Sequence, residues 1–220
     1  SRLTLAVGLL LLLASALGLR LARSGRAAAA IAVALLLGAV AAVRAAPLPR
    51  PDPARGVIAV EESPYAHLSV IEEAGLRYLI IDGVTHSGLD PATRRSPLPY
   101  VDVLRLPAGM FAAPGDLLLV GLGGGSLAVD YSGLGWRVDA VEIDPAVTRL
   151  AREHFHLEDR HARVRHQDGR RYLVETDRAY DLIVIDAFGS SSIPFHLVTR
   201  EAFAVARGRL RPGGVLALNV

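Results

Sequence analysis

The feature that most constrains how this chain folds is a glycine-rich turn that joins an apolar strand to a helix and precedes an acidic residue. The strand Asp116–Val120 is short, branched and apolar, as expected of a strand buried in a parallel sheet. Gly121-Leu-Gly-Gly-Gly-Ser126 follows, and a helix beginning at Ser126 would point its N–H groups at whatever lies over the glycines. Glu142 ends the next strand, about 20 residues after the loop, where a carboxylate normally holds ribose hydroxyls. This spacing predicts a site for a nucleoside.

From Asp116 onward the chain alternates between predicted strands and helices. After the glycine loop these are a strand at 137–141, a helix at 145–155, a strand at 163–166, a helix at 170–176, a strand at 180–186, a helix at 199–210 and, after a turn at 212–214, a strand at 215–220. This order predicts an α/β fold, a doubly wound parallel sheet with its ligand at the carboxyl ends of the strands. Glu142, Asp168 and Asp186 all fall at such ends, so we expect their side chains to meet in one cleft.

An antiparallel region precedes this sheet. Residues 57–82 favour strands, with a hairpin formed by 66–71 and 76–82 around the turn Glu73-Ala-Gly75. Residues 91–99 contain three prolines and are predicted to be a loop. The sequence therefore predicts a small β-hairpin domain at 57–106 and a Rossmann-like nucleoside-binding domain at 107–220.

Two apolar, uncharged runs stand at the start of the chain, at residues 3–19 and 27–43. Each is close to the shortest length that spans a bilayer, and three arginines lie in the turn between them. They predict a transmembrane helical hairpin at 1–44, followed by a linker at 45–56. A cleaved signal peptide remains an alternative for the first run, and a soluble alanine-rich helix pair for the second. Since the chain starts at Ser1 and stops within a predicted core strand, we expect a fragment.

Composition excludes several kinds of chemistry. The chain contains neither cysteine nor lysine, so it has no thiol nucleophile, disulfide, thiolate metal site or Schiff-base lysine. Its seven histidines are scattered, and we predict no metal site. A formal net charge of only +2 gives no indication of a nucleic-acid partner.

From about Glu61 to Val220 the chain resembles the spermidine synthase family, the polyamine aminopropyltransferases. The matching pieces are Ser63-Pro-Tyr65, the hairpin ending Leu79-Ile-Ile-Asp-Gly83, Tyr100, the glycine loop, Val141-Glu-Ile-Asp144, Asp168-Gly169 and Tyr180-Asp-Leu-Ile-Val-Ile-Asp186. The resemblance implies the Rossmann-type fold of S-adenosylmethionine-dependent methyltransferases. The apolar N-terminus is similar to a membrane-attached branch of the family.

The resemblance also implies a role for each matching residue. Decarboxylated S-adenosylmethionine, or S-adenosylmethionine itself, would bind as co-substrate, with Glu142 on the ribose, Asp168 on the adenine amino group and no metal. The remaining cofactor-binding residues would be Gly121, Gly123, Gly124, Gly125, Ser126 and Gly169. Asp186 would take or orient the proton of an acceptor amine that Tyr100 places. Tyr65, His86, Asp102 and His196 would contact the substrate.

Some of these residues have plainer alternatives. Asp186 could cap the following helix, Asp168 could be a turn residue, and His196 could be a general base or only a cap or packing residue.

Several positions depart from the family pattern. Ser126 stands where the family commonly has an aspartate that binds the cofactor's ammonium, and Asp186-Ala-Phe-Gly189 lacks the second acid of the family's pair. His86 and Ala66 replace glutamines. Because a buried ammonium without a carboxylate is unfavourable, these changes predict weaker binding of a diamine. Serine would also leave the helix N-terminus free for the carboxylate of intact S-adenosylmethionine.

The resulting expectation is a membrane-anchored transferase that moves an aminopropyl group to a small amine. A methyltransferase acting on a small or membrane-proximal acceptor is the alternative, and a non-catalytic nucleoside-binding membrane protein is a third. The expected partners are the amine and the lipid bilayer, and a homodimer through the catalytic domain is one further option. The arginine turn between the two helices favours the cytoplasmic side, which would place the catalytic domain outside the cell. Because S-adenosyl cofactors are made inside cells, we expect instead a bacterial inner membrane with the catalytic domain in the cytoplasm.

Overall fold

The computed structural model describes residues 50–188 and 194–219, together with four isolated helical positions, 32, 33, 35 and 38. Two units make up the chain, Ser1–Pro49 and Arg50–Val220, and nearly all described residues belong to the second. The second unit contains two β-sheets, one antiparallel and one parallel.

A four-stranded antiparallel sheet comes first, in the order β1 (Val57–Glu62), β2 (His67–Glu73), β3 (Leu76–Ile81) and β4 (Val84–Leu89). Two tight turns, Ala74-Gly75 and Asp82-Gly83, connect β2 to β3 and β3 to β4. All four of their residues adopt the positive φ that is typical of two-residue hairpin turns. The hairpin predicted around Glu73-Ala-Gly75 is confirmed. The second turn adds β4, which the sequence analysis did not predict. The bounds predicted for the separate domains stay a prediction.

A five-stranded parallel sheet follows, in the order β7-β6-β5-β8-β9. Its strands are β5 (Asp116–Val120), β6 (Arg137–Glu142), β7 (Arg163–His166), β8 (Tyr180–Ile185) and β9 (Leu210–Leu218). The central strand β5 is apolar throughout because both of its faces are covered: Leu117 and Leu119 pack into one core cluster, and Leu118 and Val120 into another.

Five α-helices accompany the sheets in the described residues. They are α1 (Pro99–Arg105), α2 (Ser126–Gly133), α3 (Pro145–His154), α4 (Gly169–Glu175) and α5 (Arg200–Gly208). Short 3-10 helices cover Pro53–Arg55, Leu106–Met110 and Phe195–Leu197. The doubly wound α/β architecture predicted from the sequence is confirmed, whereas α1 was not predicted.

The predicted turn at residues 212–214 proves to be part of β9. Tyr180 of β8 pairs with Leu210 and Leu182 pairs with Val215, so the residues between Leu210 and Val215 form an irregularity within the strand. Gly213, with φ of 79°, permits this local change of direction without ending the pairing.

The strand order reverses beside β5, which has β6 on one side and β8 on the other. Such a reversal opens a crevice at the carboxyl ends of the strands. Register places Val120 opposite both Val141 and Ile185, so Gly121, Glu142 and Asp186 follow at the same edge of the sheet. The fold thereby brings the predicted residues to one place.

The predicted localisation in a bacterial inner membrane is contradicted and is corrected here. No helix within residues 50–188 and 194–219 has the length and apolar character needed to cross a bilayer. The predicted transmembrane hairpin at 1–44 lies outside the described residues, except at positions 32, 33, 35 and 38.

Candidate active site

A cleft of about 420 Å³ lies at the carboxyl ends of the parallel strands. Gly121, Glu142 and Asp186 enter it from β5, β6 and β8, and Asp168 and Gly169 enter it from the start of α4. The small sheet forms another wall, to which β4 contributes His86 and Ser87, while Tyr100 comes from α1. Both sheets are therefore needed to enclose the cleft.

Gly121 allows the chain to turn sharply at the floor of the cleft. Its φ is 90°, and a Cβ at this position would stand 2.3 Å from the carbonyl oxygen of Asp186. Only glycine fits such a contact, which keeps the loop close to the end of β8. Gly123 also lines the cleft. Gly124 and Gly125 pack instead against Phe155 and Leu157, so they support the loop without facing the cavity.

Most N–H groups of the glycine loop already have acceptors inside the protein. Gly121 N–H donates to the Val141 carbonyl at 2.9 Å, and Leu122 N–H to the Glu142 carboxylate at 3.0 Å. Gly124 N–H donates to Ser87 Oγ at 2.7 Å, and Gly125 N–H to the Leu122 carbonyl at 2.9 Å. These four groups are not available to hold a carboxylate of a ligand.

Besides Gly124 and Gly125, three further predicted site residues are not among those lining the cleft. Ser126 lines a separate depression together with Leu89, Phe155 and His156. Tyr65 is 55% exposed, and Asp102 pairs on the surface of α1 with Arg105 at 3.3 Å. The geometry therefore does not support the expectation that Ser126 determines whether intact or decarboxylated S-adenosylmethionine binds.

Glu142 is a buried carboxylate held by backbone donors. It accepts hydrogen bonds from the N–H groups of Leu122 at 3.0 Å and Asp144 at 2.9 Å. Burial raises the pKa of Glu142, and these two hydrogen bonds oppose that shift. A carboxylate has about four lone-pair sites, so about two remain for hydroxyl groups of a ligand.

Asp168 lines the cleft and also caps the helix α4. Its Oδ1 caps α4 by accepting the Arg171 N–H at 2.8 Å, and its Oδ2 lies 2.8 Å from Nε2 of His196. Asp168 is thus the N-cap of α4, a structural role that differs from the turn residue considered as its alternative. His196 reaches the cleft as the partner of Asp168, and its own carbonyl accepts a hydrogen bond from Arg170 at 3.2 Å.

Asp186 follows β8 and lines the cleft together with Tyr100. Burial raises the pKa of Asp186 to about 6, while a 2.9 Å hydrogen bond donated by Asn219 opposes the shift. Burial and the nearby Asp186 charge raise the pKa of Tyr100, whose hydroxyl donates to the His86 carbonyl at 3.1 Å. The following helix α5 is capped by Thr199, so the alternative of Asp186 as its cap is not realised.

His86 lines the cleft from β4. Its Nε2 is buried without a hydrogen-bond partner in the described part of the chain. Burial lowers the pKa of His86, and the nearby Asp82 charge acts in the opposite direction. A buried nitrogen of this kind can bond to a polar group of a ligand.

The sequence analysis missed three residues that organise this site. Ser87 binds the glycine loop, Asn219 binds Asp186, and Ser63 donates to Oδ2 of Asp144 at 2.5 Å. Asn219 could have been recognised from the sequence as a site residue. It is polar and follows an apolar strand directly, at the same edge of the sheet as Asp186. Ser87 carried no such signal, and Ser63 entered only as part of the motif Ser63-Pro-Tyr65, because the hydrogen-bond partners of both serines are distant in sequence.

Comparisons with known proteins fit this architecture. No protein-family model matches the chain. It is 35% identical over 136 residues to a polyamine aminopropyltransferase of Vibrio vulnificus, covering 59% of this chain and 46% of that protein. It is also 35% identical over 123 residues to a probable polyamine aminopropyl transferase of Bifidobacterium longum, covering 55% of this chain and 27% of that protein. The chain thus spans less than half the length of these two relatives.

Solved structures show the same fold. The spermidine synthase of Thermotoga maritima superposes with a TM-score of 0.59 at 21% identity, covering 74% of this chain and 56% of that one. A spermidine synthase bound to the transition-state analogue AdoDATO has the same TM-score and identity, with coverage of 74% and 57%. The resemblance to the spermidine synthase family is therefore supported by relatives in sequence and by neighbours in fold. These comparisons do not support the finer resemblance to a membrane-attached branch of the family.

The first prediction tests Glu142 as a ribose ligand. Glu142→Gln replaces one oxygen with an NH2 group that faces a backbone N–H, and it removes charge-assisted hydrogen bonds, which contribute about 1.5–3 kcal/mol each. We expect the dissociation constant of methylthioadenosine, measured by calorimetry, to rise at least about tenfold. Glu73→Gln, at an exposed position on β2, is the matched control. Unchanged affinity in a folded Glu142→Gln protein would remove this residue from the site.

The second prediction concerns the pKa of Asp186, raised from 3.8 to about 6. The folded protein retains a proton on this carboxyl in a pH range where the unfolded chain has released it. That contribution to stability is complete below pH 3.8 and is lost as the pH rises through about 6. Relative to Asp186→Asn, the wild-type protein should therefore lose about 1–3 kcal/mol of unfolding free energy across this window.

Urea denaturation at a series of pH values measures this difference. Asp177→Asn, at an exposed position after α4, serves as the control and should show little pH dependence relative to wild type. A difference between wild type and Asp186→Asn that stays constant with pH would contradict the shift.

Proposed function

We propose that the protein transfers an aminopropyl group from decarboxylated S-adenosylmethionine to an amine. The observation that carries the proposal is the charge of the cleft, which three carboxylates line: Glu142, Asp168 and Asp186. No arginine lines it among the described residues, and the chain has no lysine. Support comes as well from the sequence relatives named as polyamine aminopropyltransferases.

The nucleoside end of the donor fits the side of the cleft formed by β6 and α4. Glu142 would accept from the ribose hydroxyls, because its remaining lone pairs have no partner in the described residues. Asp168 would accept from the adenine amino group while His196 and α4 hold its carboxylate in place. Apolar side chains of Val120 and Val141 line the same region and suit a purine ring.

Charge favours the decarboxylated donor over intact S-adenosylmethionine. The decarboxylated form carries a sulfonium and an ammonium, both of which a carboxylate-lined cleft attracts. The intact form adds a carboxylate, which finds no arginine in the described lining and meets a glycine loop whose N–H groups at Gly121, Leu122, Gly124 and Gly125 are already bonded. The preference expected from the charge of the cleft is thus opposite to the one expected from Ser126.

Asp186 and Tyr100 would serve the acceptor amine. The Asp186 carboxylate would take a proton from the acceptor's ammonium group, leaving a nitrogen lone pair for attack. Nitrogen forms a bond to the methylene carbon next to the sulfonium, the carbon–sulfur bond breaks, and sulfur keeps the electron pair, which yields neutral methylthioadenosine. Burial raises the pKa of Asp186 to about 6, which makes this carboxylate a better base than an exposed aspartate.

The third prediction is a product assay with both donors. Purified protein, an amine panel and decarboxylated S-adenosylmethionine should yield methylthioadenosine, detected by mass spectrometry. Asp186→Asn should lower kcat/KM by about 100-fold or more because the base is lost. Asp177→Asn, at an exposed position after α4 and outside the cleft lining, is the matched control and should keep full activity. Formation of S-adenosylhomocysteine from intact S-adenosylmethionine would instead identify a methyltransferase.

A further inference from the structure

Resting on the proposed aminopropyl transfer, we propose that the acceptor is a primary amine with one ammonium group and an apolar body, and not a diamine. Two independent features of the cleft support this substrate class. One is the number of carboxylate oxygens left free for cations, and the other is the apolar wall around its opening.

Only one of the three cleft carboxylates retains an oxygen without a hydrogen bond among the residues that the structure describes. Each oxygen of Glu142 accepts a backbone N–H, and each oxygen of Asp168 has a partner in Arg171 N–H or His196. Asp186 accepts from Asn219 at Oδ1 alone, which leaves Oδ2 free. The remaining lone pairs of Glu142 and Asp168 are assigned to the ribose and the adenine of the donor. The donor's own ammonium and the acceptor's reacting amine would therefore both depend on Asp186.

A second ammonium on the acceptor would have no comparable partner. A diamine places a positive charge about four carbons from its reacting nitrogen, and that charge must lose water to enter the cleft. His86 could not neutralise it, since burial lowers the pKa of His86 and its imidazole carries no negative charge. No further acid lines the cleft in the described residues.

The wall of the cleft offers apolar contacts instead. Val84 and Ile143 line it and are 42% and 41% exposed, so their side chains form part of its open surface. Ile81, Val147 and Pro194 lie in the same lining. An alkyl or arylalkyl group in contact with these side chains would be removed from water, which stabilises binding in proportion to its apolar area.

The test compares two amines of nearly equal length. 1-Aminopentane and 1,4-diaminobutane differ by replacement of a terminal ammonium with a methyl group. Binding of each to protein saturated with methylthioadenosine is measured by calorimetry or ligand-observed NMR, and kcat/KM is measured with decarboxylated S-adenosylmethionine. We expect 1-aminopentane to be preferred at least tenfold in both. A preference for 1,4-diaminobutane, or no binding of 1-aminopentane, would overturn the proposal.

The two measurements separate this proposal from the proposed function. Absence of methylthioadenosine formation with every amine would count against aminopropyl transfer, whereas the binding comparison would still decide the class of amine. Turnover with 1,4-diaminobutane as the better substrate would uphold aminopropyl transfer and refute the single-ammonium acceptor.

A gain-of-function variant tests the physical reason. Val84→Glu adds a carboxylate at an exposed position of the cleft wall and should shift the preference at least tenfold toward 1,4-diaminobutane. Val103→Glu makes the same change at a 61% exposed position of α1 outside the cleft lining and should leave the preference unchanged. Thr85→Glu, at an exposed position of β4 in the same cleft lining, provides a second variant if Val84→Glu does not fold. An unchanged preference in a folded cleft variant would refute the role of the missing carboxylate.

Discussion

The hydrogen bonds of the Glu142 carboxylate are the interaction on which the rest of the site depends. One oxygen binds the N–H of Leu122 in the glycine loop, and the other binds the N–H of Asp144 after β6. A buried carboxylate without such donors would be strongly unfavourable, so the two loops are held together at this point. Gly121 then fixes the distance to β8, because its Cα lies against the Asp186 carbonyl. These contacts place the ends of three strands around one cavity.

Hydrogen bonds also attach the small antiparallel sheet to the loops of the cleft. Ser87 accepts the Gly124 N–H, Ser63 donates to Asp144, and the His86 carbonyl accepts the Tyr100 hydroxyl. Each contact links the small sheet, or the chain next to it, to a residue or loop of the cleft. The Rossmann-like sheet supplies the nucleoside end, and β4 with α1 supplies the wall next to Asp186. Substitutions in β4 are therefore expected to alter the choice of acceptor.

The sequence predicted the parallel sheet and the meeting of its acids well, since strands such as Asp116–Val120 have a pattern that only a doubly covered sheet satisfies. Glu142, Asp168 and Asp186 were found because carboxyl ends of parallel strands share one edge. Ser126 was predicted to bind the cofactor, but it does not line the cleft in the structure. The direction of a side chain after several glycines depends on their φ values, here 52° at Gly123 and 83° at Gly125, and residue spacing does not reveal these angles. The hydrogen bond between Ser87 and the Gly124 N–H could not be predicted from the sequence either, because it depends on how the two sheets pack against each other.

We propose that the cleft holds the nucleoside of the donor with its ribose on Glu142 and its sulfur toward Asp186. A crystal structure of the protein with methylthioadenosine tests this arrangement directly. We expect both ribose hydroxyls within hydrogen-bond distance of Glu142, the adenine amino group beside Asp168, and the sulfur on the side of Asp186 and Tyr100. A nucleoside bound outside this cleft, or bound in it with its ribose away from Glu142, would contradict this arrangement.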